Sequence, residues 1–373
     1  MELATTNIEA KCHAVEAAEK DYLPKLLNSF SYFHFDSDLG TVLTTPGIIN
    51  PAVTKVVPVI NQDAATYAAA AIQPITPLAK VHAAVEITSA DVGAAKAEKQ
   101  LARRELTKGV EQLYFGLLAT RKIQATLREA AAGADQMVKA TNSSDAKIAF
   151  VQVQQGLVTV NAQAANLQEQ LNQLVSLPPC TELILLDPPT PQNPFECPDE
   201  AVNAAVASSP KICEARMLVE KAEGAVHLAN ADYLPSVNAY GFYVNQTATP
   251  TIQDGFTGVG LSASYLLEWG KKNDTLRQYK ATEVLARQNL QKEIQDVQLT
   301  TIKAFNETTR TQQAFDYAQQ LVTLNREAKM PADPFQLKFA IKDRLDSEVG
   351  VLKADVDYRT AIIELRSLSG CCE

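Results

Sequence analysis

The sequence predicts a mainly α fold with a small β portion, built by tandem duplication of long helical hairpins. Three observations predict it. Asp21, Tyr22, Leu23 and Pro24 recur as Asp232, Tyr233, Leu234 and Pro235. Two segments, 79–140 and 270–329, each run for about 60 residues without a proline, far beyond an average helix. The apolar share is 46% of the chain with only 6% aromatic residues, carried by Ala, Leu and Val, which suits helices packed closely side by side.

Bulk properties exclude several classes. A formal net charge of −9 over 373 residues argues against nucleic-acid binding, which needs a Lys and Arg excess to replace phosphate counterions. Cys12, Cys180, Cys197, Cys213, Cys371 and Cys372 have none of the C-x-x-C spacing of zinc or redox motifs. Cys180 and Cys197 flank a proline-rich stretch, where they either close a loop in an oxidising compartment or remain two thiols. No run reaches the roughly 20 apolar residues of a spanning helix. Spanning β-strands alternate in polarity and leave no such peak. The amino terminus carries no basic segment followed by a hydrophobic one, which taken alone reads as cytosolic.

The first repeat is expected over 1–177. A partial entry helix over 1–21 ends at Pro24, which cannot continue a helix and pushes Leu23 toward extended geometry. A β-hairpin follows within 24–75: 26–33 is rich in aromatic residues, and its partner near 64–73 is Ala-rich. A long helical hairpin then fills 78–177, its tip near 141–145, where Thr141, Asn142, Ser143, Ser144 and Asp145 form a turn signal. Leu106, Val110, Leu113 and Leu117 follow the 4-3-4 spacing of a coiled-coil seam. At about 1.5 Å per residue such a helix extends roughly 90 Å and must project from any compact body.

The proline-rich linker 178–199 joins the copies. The second repeat, 200–373, is read as an entry helix over 200–232, a β-hairpin over 235–268 and a long helical hairpin over 270–369 with its tip near 330–334. Val259, Leu261, Ala263 and Tyr265 alternate with Gly258, Gly260, Ser262 and Ser264, giving a strand with one apolar face and one small polar face. Leu290, Ile294, Val297, Thr301 and Ala304 form a 4-3-4-3 seam whose small members permit close helix approach. Met330, Pro331, Ala332, Asp333 and Pro334 mark the second turn.

The order of helix, Tyr-Leu-Pro, strands, long helix, turn and returning helix, used twice, resembles the TolC-like outer-membrane efflux channels over nearly the whole chain. The stretch 199–243, the run Leu266, Leu267, Glu268, Trp269, Gly270, Lys271, and the pattern Ala354, Tyr358, Ala361, Leu365, Gly370 carry the resemblance. It implies that the helices form an α-barrel, and that the two β-hairpins contribute four strands to a trimeric transmembrane β-barrel in the outer membrane. The helices would extend into the periplasm, and only with this resemblance does the absence of a signal peptide read as a truncated start. The implied partners are two further copies of the chain, outer-membrane lipid, and a periplasmic adaptor with its inner-membrane pump. The implied function is passive export of small molecules such as drugs or metals, or of proteins. Positions matching the family's entrance aspartates fall near Gln336 and Phe339, so no gate carries over.

Within that frame Tyr22, Pro24, Tyr233, Pro235, Trp269 and Gly270 mark helix-to-barrel junctions. The two tyrosines serve there either as interfacial anchors or as packing residues. Thr141, Asn142, Ser143, Ser144, Met330, Pro331 and Ala332 form adaptor-contacting tips. Asp333, Asp343 and Asp346 are candidates for charge at the pore entrance, against the alternative of ordinary solvated residues. His13, His34, His82 and His227 are scattered, with no i, i+4 pair of histidines and no adjacent carboxylate that would mark a metal site. Gly255, Gly258 and Gly260 have the wrong spacing for a dinucleotide loop and read as strand packing. No nucleophile, base or metal cluster converges, so no catalytic residue, cofactor or metal is expected and the chain is read as no enzyme. The rival reading is a soluble coiled-coil scaffold or interaction protein without a pore.

Overall fold

The computed structural model describes residues 2–45, 53–250, 252–328 and 334–370. In chain order they form α1 (Glu2–Lys20), β1 (Lys25–His34), β2 (Leu39–Thr45), β3 (Val53–Ile60), β4 (Asp63–Pro74), α2 (Leu78–Thr141) and α3 (Ser144–Leu174). There follow α4 (Pro198–Ser208), α5 (Pro210–Ala231), β5 (Ser236–Gln246), β6 (Gly255–Ser264), α6 (Lys271–Glu327) and α7 (Pro334–Ser369). None of the helices, over the described residues, is long and apolar enough to cross a membrane.

Two features differ from the sequence expectation. The first hairpin carries an additional antiparallel pair, β2 with β3, inserted between β1 and β4. The entry helix of the second repeat is two helices, because Pro210 follows Ser209 and holds it extended at φ −66°, ψ 120°. Ser209 then caps α5, its hydroxyl accepting from the Ile212 N–H at 3.5 Å, with Pro210 at the first helical position, where its missing N–H costs nothing.

The chain forms two compact units that cut across the repeats. One comprises Glu2–Lys96 and Ala215–Asn289; the other takes Ala97–Glu214 and the chain from Leu290 onward.

In the first unit, β1, β4, β5 and β6 make one antiparallel sheet in that order. Its central ladder joins the copies: Ala69 lies opposite Tyr243 and Ala71 opposite Gly241. Beside it α2 and α5 pack through small residues. A Cβ on Gly224 would lie 2.9 Å from Ile87 Cγ1, 3.4 Å from the Ile87 nitrogen and 3.5 Å from the Ala83 oxygen, so only glycine allows this approach. Ala83 and Ala90 are buried on the facing helix.

In the second unit, Ala201, Ala304 and Leu365 form one buried cluster with Phe195, Phe305 and Leu368 packed on it, and Ala205, Ile212 and Val297 form another with Val206, Leu290 and Ile294. These hold α4, α6 and α7 together. Thr301 and Thr308 are buried in the α6 seam, where each hydroxyl donates 2.8 Å to the carbonyl four residues back. The hydroxyls are thereby satisfied within their own helix.

The turn from α2 to α3 takes two residues. Asn142 adopts φ 48°, a left-handed conformation that asparagine tolerates well, and its N–H reaches the Val138 carbonyl at 2.9 Å. Ser143 caps α3, its hydroxyl accepting from the Ala146 N–H at 3.2 Å.

The linker between copies forms neither helix nor strand and is tied down by side chains of the helices. Gln168 and Asn172 both donate to the Thr181 carbonyl, Arg121 donates to the Leu183 carbonyl at 2.6 Å, and the Tyr114 hydroxyl bonds both the N–H and carbonyl of Leu186. Lys122 pairs with Asp187 at 2.5 Å. A segment too rich in proline for its own ladder thus has its carbonyls satisfied from outside.

Candidate functional site

The four-stranded sheet is the candidate functional element, and its register sorts residues onto two faces. Residues directly opposite share a face, so Phe30, Tyr67, Asn245 and Gly255 lie in one row, and Asn28, Ala69, Tyr243 and Thr257 in the next. Leu26, Ala71, Gly241 and Val259 continue this face, followed by Ala239 opposite Leu261 and Val237 opposite Ala263. It is apolar and aromatic through most of its height. The opposite face mixes Ser29, Ser31, Asn238, Ser262 and Ser264 with Leu27, Phe33, Ile72 and Val244 and the packed rings of Tyr240, Phe242 and Phe256. Phe242 covers Gly258 and Tyr240 covers Gly260: a Cβ at either glycine would fall 2.5 or 2.6 Å from ring carbons.

The sheet's outer strands, β1 and β6, lack a neighbour on one side and are exposed. On β1, Leu26 is 78% and Phe30 71% exposed; on β6, Val259 is 91% and Leu261 71% exposed. Bare backbone edges flanked by large apolar side chains are unstable in water and must be paired if they lie in lipid.

Both Asp-Tyr-Leu-Pro copies build the same turn. The Tyr22 and Leu23 N–H groups donate to the carbonyls three residues back at 3.1 Å, and the Tyr233 and Leu234 N–H groups do so at 3.1 Å as well. Pro24 and Pro235 follow, and a strand begins one residue later in each copy. Asp21 pairs with Lys25 at 3.0 Å and Asp232 with Lys80 at 2.5 Å. The Thr76 hydroxyl donates to the Pro235 carbonyl and accepts from the Val237 N–H, tying the end of β4 to the start of β5. At the other junction Gly270 has φ +81°, a conformation that favours glycine, and its carbonyl accepts the Asp274 N–H at the start of α6. Trp269, beside it, is fully exposed.

The histidines do have carboxylate neighbours, contrary to the sequence reading. Glu86 lies between His82 at 3.3 Å and His227 at 2.9 Å, and the Tyr22 hydroxyl is 3.4 Å from the other nitrogen of His82. His13 lies 3.2 Å from Glu16 and His34 2.8 Å from Asp63. The spacing of His82 and Glu86, one helical turn, was the signal for the first pair; the others join different elements or sit three residues apart. Cys180 and Cys197 are free thiols.

At the helical hairpins, Asn142, Ser143 and Ser144 are exposed at the α2–α3 turn, where Thr141 is the last residue of α2. Met330, Pro331, Ala332 and Asp333 lie outside the described residues. Asp343 and Asp346 are exposed on α7. Near them Glu348 binds Arg326 at 3.2 Å and Arg344 at 3.7 Å, so cations share this surface with the aspartates.

Residues 201–331 match the family model described as outer membrane efflux protein. No curated protein matches the chain. Among solved structures, the chain is similar to the MtrE outer membrane channel of Neisseria gonorrhoeae, with a TM-score of 0.80 at 13% identity over 99% of this chain and 85% of that one. It is similar also to the outer membrane protein VceC of Vibrio cholerae, with a TM-score of 0.74 at 16% identity over 99% of this chain and 92% of that one. The CmeC outer membrane channel of Campylobacter jejuni gives a TM-score of 0.70 at 14% identity over 99% and 82% of the two chains. The fold of these outer membrane proteins is thus shared along nearly the whole chain, and a stretch of the second repeat matches the outer membrane efflux family model.

Proposed function

We propose that the chain is one subunit of a trimeric outer-membrane channel, through which small molecules or proteins leave a periplasm-spanning efflux or secretion complex. The observation that carries this is the sheet: four strands, large apolar side chains exposed on it, and two exposed edges. Pairing β1 of one copy with β6 of the next removes both edges at once and closes a barrel, the only β arrangement that lipid tolerates. The face with the most exposed apolar side chains, Leu26, Phe30, Val259 and Leu261, then meets lipid, and the face that mixes serines with packed rings turns inward. A soluble scaffold leaves this sheet without a role.

The matching family model describes an outer membrane efflux protein and similar solved structures include outer membrane channels, and conduction needs no bond chemistry. Energy would come from an inner-membrane pump reached through a periplasmic adaptor that meets the helical hairpin ends, including Asn142 and Ser143. Asp343 and Asp346, with Asp333, would bias the pore mouth toward cations. Tyr22, Tyr233 and Trp269 would sit at the membrane interface, where amphipathic rings are favoured.

The test is disulfide trapping between copies. In a background with the native cysteines replaced, pairs drawn from Ser29 and Ser31 on β1 and Ser262 and Ser264 on β6 are changed to cysteine. The full chain is expressed with an export leader in a bacterium with an outer membrane. A ladder ending at three subunits in the outer-membrane fraction is expected; a soluble monomer with no inter-chain product overturns the proposal.

A further inference from the structure

We propose that a basic recess between α2 and α7 is a binding site for a compact oxyanion of the phosphate class. The recess has a volume of about 200 Å³ and is lined by Arg103, Arg104, Lys108 and Glu111 of α2, by Arg366 of α7 and by Gly370 just beyond its end. Four cations against one carboxylate is a strong local excess in a chain whose net charge is −9. Lys108 is engaged by Glu364 at 3.1 Å, outside the lining; among the described residues the three arginines make no salt bridge.

Two buried polar atoms sharpen the case. Arg104 Nη1 and Ser208 Oγ are shielded from solvent and have no hydrogen-bond partner among the described residues. Both side chains converge on Gly370, whose Cβ position would lie 2.9 Å from Arg104 Nη2 and 2.7 Å from Ser208 Oγ. A helix C-terminus attracts cations, and α7 ends here, yet the Arg366 carbonyl is taken by the Gly370 N–H at 3.0 Å, while Arg104 Nη1 donates to none of the end carbonyls. An unpartnered buried guanidinium nitrogen is costly, and a doubly accepting anion relieves that cost with charge-assisted bonds. The planar fork of arginine matches phosphate geometry better than an ammonium does. The helical spacing aligns two of the donors: Arg104 and Lys108 are one turn apart on α2.

The purified full chain in detergent is titrated calorimetrically with inorganic phosphate and with glycerol phosphate at constant ionic strength. Saturable binding is expected, weakened about tenfold or more in Arg104→Gln and Arg366→Gln and unchanged in Lys303→Gln, an exposed charge on α6. Tighter binding of the ester assigns the site to a phosphorylated macromolecule; equal binding assigns it to the free anion. A second measurement uses the unaltered protein: phosphate should slow phenylglyoxal modification of Arg104 and Arg366, read by mass spectrometry. No saturable binding, equal affinity in folded arginine variants, or absence of protection overturns the proposal.

Discussion

Arg359 grips Asp355 one turn back in α7, its Nε donating at 3.0 and 2.9 Å to the two carboxylate oxygens. The same guanidinium donates to the Pro188 carbonyl and to the Thr190 hydroxyl of the linker and lies over the Phe115 ring at 4.9 Å. It is only 4% exposed. Arg359→Ala leaves Asp355 with only the Thr190 hydroxyl as a donor and the Pro188 carbonyl without the guanidinium. A loss of roughly 3–5 kcal/mol is expected from removing one member of a buried pair. Protease nicking of the linker, tracked beside thermal unfolding, should rise with the loss.

Gly224 permits α2 and α5 to meet backbone to side chain. Gly224→Leu places atoms where the Ile87 nitrogen and Ala83 oxygen already stand, and backbone cannot step aside as a flexible side chain does. Destabilisation of about 1–3 kcal/mol is expected, seen as a lower unfolding temperature. Gly133, with nothing within 4 Å of its Cβ position, is the control: Gly133→Ala should stabilise slightly.

Gly258 and Gly260 lie under the Phe242 and Tyr240 rings across the β5–β6 ladder. The double change to valine forces both rings off the sheet. Reduced recovery of the assembled species after outer-membrane extraction is expected, and adding Phe242→Ala and Tyr240→Ala should restore part of it by making room.

Glu214 gives a pH prediction. Burial, followed by the charges of Glu98 and Glu293 and opposed by Lys211, raises its carboxyl pKa above the usual glutamate value. The folded state therefore holds this proton more tightly than the unfolded chain. Its favourable contribution is complete below the ordinary carboxylate range and is lost as pH rises through the raised folded value. Glu214→Gln should raise the unfolding temperature at pH 7.5 by a degree or two, roughly, and the gain should vanish below about pH 4. An equal gain at both pH values would contradict this origin.

Local chemistry was the most legible part of the sequence. Asn142 and Ser143 announce a left-handed residue and a cap, and they close the α2–α3 turn. The alternation around Val259 and the spacing from Leu290 to Ala304 each reappear as one face: exposed on β6, and covered on α6, where Val297, Thr301 and Ala304 are buried. Ser209 and Pro210 carry a signal for a helix break that the flanking alanines, continuing a helical pattern on both sides, mask. Other features depend on distant partners. Nothing near Arg359 in sequence points to Pro188, and nothing near Glu86 points to His227. The β2–β3 pair has a weak sequence signal, because Pro58 within β3 argues against a strand there.

The ladder between β4 and β5 is the one place where the two copies complete each other's sheet, with Thr66 opposite Gln246 at one end and Pro74 opposite Asn238 at the other. Had the halves been separate polypeptides, that ladder would be a contact between strangers, formed only at the expense of lost translational and rotational freedom. Covalent fusion turns it into a concentration-independent seam. A ring of the proposed kind would then need half as many molecules to find one another, with the search left to the outer edges.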